Sequence, residues 1–240
     1  PETAATFFVE TQTQARMEMA EVLGPDDILI TGAPRTYPRD TDAYKVWNAI
    51  QVIDASGSIV ASFDKFHLVP FGEYVPFRSI LPFPKLTEGR TDFSAGPGPQ
   101  TLSVSGIPSF SPLICYEVIF PGAVIDDAKQ PDWLLNVTND GWFGRSTGPY
   151  QHMAAARFRT VEEGRPLVRA AYTGVSVVFD SYGRKVASLS LGERATLLHP
   201  LLSDKNHTTV YYLWRDFLFY GIVTFFAVLA MGYKRRLKSL

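Results

Sequence analysis

The sequence predicts a layered α/β domain with mixed sheets, followed by one helix that crosses a membrane. Short strand patterns alternate with helical ones, and several neighbouring strands are joined by tight turns, which favours mixed over purely parallel sheets. Near the C-terminus an uncharged stretch, Phe217–Tyr233, is followed at once by Lys234, Arg235, Arg236 and Lys238. At 240 residues the chain is long enough to bury a proper core in one large domain or two small ones.

In chain order, residues 11–23 carry helical periodicity, with Ala15, Met19 and Val22 on one side and Gly24 and Pro25 ending it. Ile28–Thr31 reads as a short strand. Val46–Asp54 alternates, turns through residues 55–58 and returns as Ile59–Phe63, a hairpin. A proline-punctuated apolar loop runs from Val69 to about Leu86, and residues 96–99 form a Gly/Pro loop. Thr101–Val104 and Ile107–Cys115 predict a second strand pair. Glu117–Lys129 predicts a helix, with Pro121 near its start, where proline is tolerated. Trp133–Thr138 follows as a strand and Tyr150–Glu163 as a helix. Leu167–Ala171, Val175–Asp180, Lys185–Leu189 and Ala195–Pro200 complete the domain as strands.

The uncharged C-terminal stretch reaches the lower end of the roughly 17–25 residues that span a bilayer. Tyr211, Tyr212 and Trp214 precede it and Tyr233 closes it, as interfacial aromatic belts do. The basic flank places the C-terminus in the cytoplasm by the positive-inside rule, and hence the preceding domain on the other side. Residue 1 is Pro, with no initiator Met and no signal peptide, which predicts a piece of a longer chain. Net charge is −1 and no basic stripe carries interleaved aromatics, so nucleic acid is not an expected partner. The single cysteine excludes an internal disulfide. The four histidines lack ligand spacing, so no metal site is expected.

Cys115 is the residue to which the chemistry points. The run Leu113–Ile114 climbs as a buried strand and ends on the thiol, and Tyr116 and Glu117 follow directly. A cysteine at the point where a strand gives way to a helix can be presented as a nucleophile, its thiolate helped by helix-end N–H groups. Free cysteine is also among the most buried and inert residue types, so the position alone does not decide. Two further groups suit such a nucleophile. Glu2 at a strand end can serve as a general base. Lys65, among apolar neighbours in the segment Asp64–Pro76, can stabilise a developing oxyanion.

Taken in order, Glu2, Lys65 with the following His-Leu-Val-Pro-Phe-Gly-Glu, and Cys115 within Ile-Cys-Tyr-Glu resemble the Glu–Lys–Cys triad of the nitrilase, or carbon–nitrogen hydrolase, superfamily. The chain is most similar to a membrane branch, the apolipoprotein N-acyltransferases. Asn136 to Gly144, Gly148 to His152, Arg157 and Glu162 to Pro166 look like that branch too, while Tyr172 departs from the asparagine expected in many relatives.

The resemblance implies an α-β-β-α sandwich with a C-terminal transmembrane helix. Residues 1–208 would be the N-terminally truncated catalytic domain, 209–234 the membrane helix and 235–240 a basic cytoplasmic tail. It implies no cofactor and a location in the bacterial cytoplasmic (inner) membrane, with the catalytic domain on the periplasmic side. The implied activity moves an acyl chain from a phospholipid, through a thioester on Cys115, to the N-terminal amine of a diacylglyceryl apolipoprotein. Glu73, Tyr116 and Glu117 are supporting candidates; Trp142, Phe143, Tyr74 and Phe77 are candidates for substrate contact. The rival reading is a superfamily amidase that hydrolyses a small carbon–nitrogen substrate, to which a bilayer-length tail is of no use.

Overall fold

A computed structural model describes residues 1–37, 45–77, 91–203 and 208–238. The elements are α1 (Thr13–Ala20), β1 (Ile28–Tyr37), β2 (Lys45–Asp54), β3 (Ile59–Asp64), β4 (Phe110–Ile114), β5 (Trp133–Asn139), α2 (Gly148–Glu163), β6 (Leu167–Tyr172), β7 (Ser176–Phe179), β8 (Lys185–Leu189), α3 (Val210–Trp214) and α4 (Phe217–Lys238). They form two sheets, β1-β2-β3 and β4-β5-β6-β7-β8. The first is antiparallel throughout; the second is parallel across β4-β5-β6 and antiparallel across β6-β7-β8.

Side-chain alternation decides how the layers stack. Ile50 and Val52 of β2 and Phe63 of β3 meet Phe110 and Ile114 of β4 and Leu135 and Val137 of β5 in one buried cluster, so the sheets face each other. Leu113, next to Ile114, points the opposite way and joins Leu134, Leu167, Val177 and Phe179 beneath Ala156 of α2. On the far face of the first sheet, Ala33 packs with Ala5, Val9 and Met19 of α1. The order is therefore helix, sheet, sheet, helix, the four-layer sandwich the resemblance implies.

Several expected elements differ. The helix expected over Glu117–Lys129 is a 3-10 turn, Cys115–Ile119. Phe120 before Pro121 is extended and Gly122 has φ +67°, and neither continues a helix. Thr101–Val104 contributes only a bridge from Leu102 to Phe110. Ala195–Pro200 forms no strand, and β1 runs six residues past the expected end because its partner β2 pairs with it as far as Lys45. The apolar loop is described only as far as Phe77, so Ile80, Leu81 and Phe83 lie outside the described residues.

Helix α4 has 22 residues, about 33 Å at 1.5 Å per residue. Its window Phe217–Lys234 is apolar and long enough to cross a membrane, and none of that window is buried against the domain. The chain turns sharply at Arg215, with φ +45°, between α3 and α4. Arg215 there pairs with Glu163 at 2.6 Å and Asp127 at 2.7 Å, tying the helix entry to the domain.

Candidate active site

The two sheets position three distant segments at one end of the sandwich. Glu2 is carried beside β1 by backbone bonds from Gly32 N to Pro1 O (3.2 Å) and from Ala5 N to Gly32 O (3.0 Å). Only glycine permits that approach, since a Cβ on residue 32 would stand 2.5 Å from Pro1 O and 2.8 Å from Glu2 Cα. Lys65 follows the last residue of β3, its N–H bound to Asn48 O of β2. Cys115 follows the last residue of β4 with φ +50°, a backbone setting that residues bearing a Cβ rarely adopt.

These three residues line a single cavity of about 360 Å³, together with Asn48, Glu73 and Trp142. Lys65 Nζ lies 2.9 Å from Glu73 Oε1 and 3.6 Å from Glu2 Oε1. Asn48 Nδ2 donates to both carboxylates, at 2.7 Å to Glu2 and 2.9 Å to Glu73. The second Glu2 oxygen accepts from the Asn139 N–H at 2.8 Å, and the second Glu73 oxygen from the Val69 N–H at 2.8 Å. Each carboxylate is thus fixed at both oxygens, as buried charges require.

Lys65 is 1% exposed. Burial alone would lower its pKa, but Glu2 and Glu73 outweigh burial and raise it above the ordinary lysine value, so the ammonium stays charged. Burial, with Glu2 adding to it, pushes the Cys115 thiol up to about 11 against the opposing pull of Lys65. The resting group is a thiol, and an attack near neutral pH needs a base.

Glu117 does not line the cavity but stitches its walls. Its carboxylate accepts from Phe66 N (2.7 Å), His67 N (3.2 Å) and Ile114 N (2.7 Å), joining the segment after Lys65 to the strand end before Cys115. Tyr116 lines a second, largely apolar cavity of about 490 Å³ with Ile119, Phe143, His152 and Ala155; Val69, Cys115 and Trp142 line both cavities. Trp142 is 70% exposed on the 3-10 turn Asp140–Phe143. Tyr74 and Phe77 are not among the described residues lining either cavity, and Phe77 is exposed. Tyr172 is exposed at the end of β6.

Other residues that shape the site are not singled out by the sequence. Asn48 hides in the alternation of β2. Asp140 and His152 stood only inside larger motif blocks, and Arg169 lies in a strand pattern that reads as apolar. A charged residue at an inward register position was the available signal for Arg169. Arg169 donates to Asp140 at 2.7 Å in a fully buried pair.

A family model described as Carbon-nitrogen hydrolase matches residues 5–204. An apolipoprotein N-acyltransferase from Bradyrhizobium diazoefficiens is 50% identical over 202 residues, covering 82% of this chain and 38% of that protein. One from Rhizobium rhizogenes is 40% identical over 248 residues, covering 98% and 46%. The chain therefore spans less than half the length of these curated relatives. Among solved structures, a mutant amidase from Nesterenkonia sp. AN1, with acrylamide added at its active-site cysteine, superposes with a TM-score of 0.51 at 22% identity, covering 78% of this chain and 68% of that one. A carbon–nitrogen hydrolase from Helicobacter pylori G27 gives 0.56 at 15% identity, covering 77% and 64%. At these identities the likeness is one of fold.

Proposed function

The chain belongs to the carbon–nitrogen hydrolase family, and from that membership we propose that it transfers an acyl chain from a phospholipid, through Cys115, to the N-terminal amine of a diacylglyceryl apolipoprotein. The observation that carries this reading is the place of Cys115 in the shared wall of a charged cavity and an apolar one. An acyl ester needs both: charged groups at the carbonyl and apolar space for the chain. The relatives at 40–50% identity bear the corresponding name, and α4 supplies a bilayer-length anchor.

Glu2 accepts the thiol proton as Cys115 Sγ bonds to the ester carbonyl carbon, and the carbonyl electron pair moves onto oxygen. That oxyanion is stabilised by the Lys65 ammonium and by backbone N–H groups near Cys115. Collapse breaks the C–O bond; the lysophospholipid leaves with the proton held on Glu2, and a thioester remains. The incoming amine attacks the thioester, Glu2 takes its proton, the C–S bond breaks and the thiol is re-formed. The net change is ester plus amine to amide plus alcohol. Glu73 holds Lys65 in place, Glu117 holds the walls, and Tyr116, Trp142 and Phe143 border the space for the chain. Tyr74 and Phe77, on the segment that follows Val69, are proposed to meet lipid. The protein works at the bacterial cytoplasmic membrane, with the domain on the extracytoplasmic face and the basic tail, residues 235–240, in the cytoplasm.

The test supplies the protein in vesicles with phosphatidylethanolamine and a diacylglyceryl-cysteine peptide. An N-acylated peptide together with lysophospholipid supports acyl transfer. Release of free fatty acid with an unmodified peptide, or turnover of simple amides alone, supports the hydrolytic amidase reading instead.

A further inference from the structure

The carbonyl of Cys115 is held by a buried chain of side chains that the scheme above leaves unused. His152 Nε2 lies 3.1 Å from Cys115 O, and since a carbonyl only accepts, that nitrogen carries the hydrogen. His152 Nδ1 lies 3.0 Å from Asp140 Oδ1 and 3.2 Å from Arg169 Nη2. Arg169 donates to both Asp140 oxygens, at 3.0 and 2.7 Å, and to Asn136 Oδ1. Thr138 Oγ1 adds a bond to Asp140 at 3.1 Å. All five side chains are buried. Gly174 leaves room for the cluster: a Cβ there would stand 2.1 Å from Asp140 Oδ2.

A buried ion pair adds little stability over well-packed apolar side chains, so its presence against the nucleophile calls for another role. What it holds is the φ +50° backbone of Cys115. The peptide unit joining Cys115 to Tyr116 is planar and trans, so its C=O and N–H point in opposite directions. Anchoring the carbonyl on His152 therefore fixes the direction of the Tyr116 N–H. That N–H is the second of the 3-10 turn Cys115–Ile119, whose first donors have no partner within the turn.

We propose that Arg169, Asp140 and His152 are positioning residues which, through the Cys115 carbonyl, aim the Tyr116 N–H at the oxyanion formed when Cys115 attacks an acyl carbonyl. This rests on acyl chemistry at Cys115 and not on which ester supplies the acyl group.

Two probes separate aiming from simple structural support. p-Nitrophenyl butyrate acylates the thiol through an oxyanion: the S–C bond forms, the thiol proton passes to Glu2, and p-nitrophenolate leaves. Iodoacetamide alkylates the same sulfur with no oxyanion: the thiol proton is lost to solvent, the S–C bond forms and iodide leaves. In the full chain, His152→Phe is expected to slow acylation about 10- to 100-fold, with alkylation close to wild type. His152→Gln, whose side-chain amide N–H can replace the ring donor, restores most of the loss. Asp140→Asn, which keeps the shape of the cluster, gives a smaller loss with the same selectivity and serves if the phenylalanine variant does not fold. Equal loss with both probes, or no loss with either, overturns the proposal. Acylation of the wild type by the nitrophenyl ester but not by phospholipid removes the lipid assignment and leaves this one standing. Acylation by neither ester overturns both.

Discussion

Lys65 Nζ lies 2.9 Å from Glu73 and 3.6 Å from Glu2, so the ammonium is held mainly by the carboxylate that the proposed scheme does not use as a base. Glu73 in turn is pinned by Asn48 Nδ2 and the Val69 N–H. This division leaves Glu2 able to exchange a proton while Lys65 keeps its position. Glu73→Gln is therefore expected to lower the single-turnover acylation rate by at least about ten-fold, because the amide cannot anchor the ammonium by charge. The apparent affinity for the acyl donor should change little. Rapid-quench kinetics over a range of donor concentrations separates the two.

The thiol's ionisation offers a second prediction with a fixed sign. Burial and Glu2 push Cys115 up to about 11, while Lys65 pulls it down. Glu2→Gln removes a nearby anion and should shift the pH profile of iodoacetamide alkylation to lower pH; Lys65→Met should shift it higher. Glu2→Gln should nevertheless abolish acyl transfer, because it also removes the base. A variant with a more reactive thiol and no turnover distinguishes a base from a structural carboxylate.

The folded state made part of this legible in the sequence and hid the rest. The hairpin read from Val46–Asp54 and Ile59–Phe63 is β2–β3 within a residue at either end, since period-two alternation and a turn are local signals. The helix expected after Cys115 failed at Pro121 and Gly122, where local breakers outweighed the apolar pattern. Glu2, Lys65 and Cys115 are brought to one cavity by sheet stacking, which no local pattern encodes; only the likeness of the surrounding motifs suggested that they meet. Arg169 carries a sequence signal, a charge at an inward strand position, but that signal becomes a role only beside Asn136 of β5 and Asp140 of the turn after it.

Glu117 predicts a pH dependence of stability. Burial pushes its carboxyl up to about 7 from the ordinary 4.5, against the opposing bonds from Ile114, Phe66 and His67. Between those values the folded protein holds more protons than the unfolded chain. The stabilising contribution of this group is therefore complete below about 4.5 and is lost as pH rises through about 7. Glu162, also pushed up to about 7 by burial, acts in the same direction. Glu117→Gln should flatten the slope of melting temperature against pH. It should also lower stability throughout by about 1–3 kcal/mol, since one of its two acceptor positions becomes a donor facing backbone N–H groups. Thermal melts at several pH values measure both effects.

Gly174→Ala should be destabilising by about 1–3 kcal/mol, because its Cβ would stand 2.1 Å from Asp140 Oδ2 and must displace a buried, paired carboxylate. Acyl transfer should fall with it, whereas alanine at Gly192, with no atom within 4 Å of its Cβ, meets no such clash and bears only the strain of φ +75°. Denaturant unfolding and turnover of the two variants side by side test this.

Intact-protein mass spectrometry after a single turnover with phosphatidylethanolamine, in the absence of acceptor peptide, bears most directly on the chemistry at Cys115. The predicted result is a mass gain of one acyl group, mapped to the peptide containing Cys115, removed by hydroxylamine and absent from Cys115→Ala. Phospholipid turnover by the wild type, quenched on the same timescale with no adduct on Cys115, would contradict it.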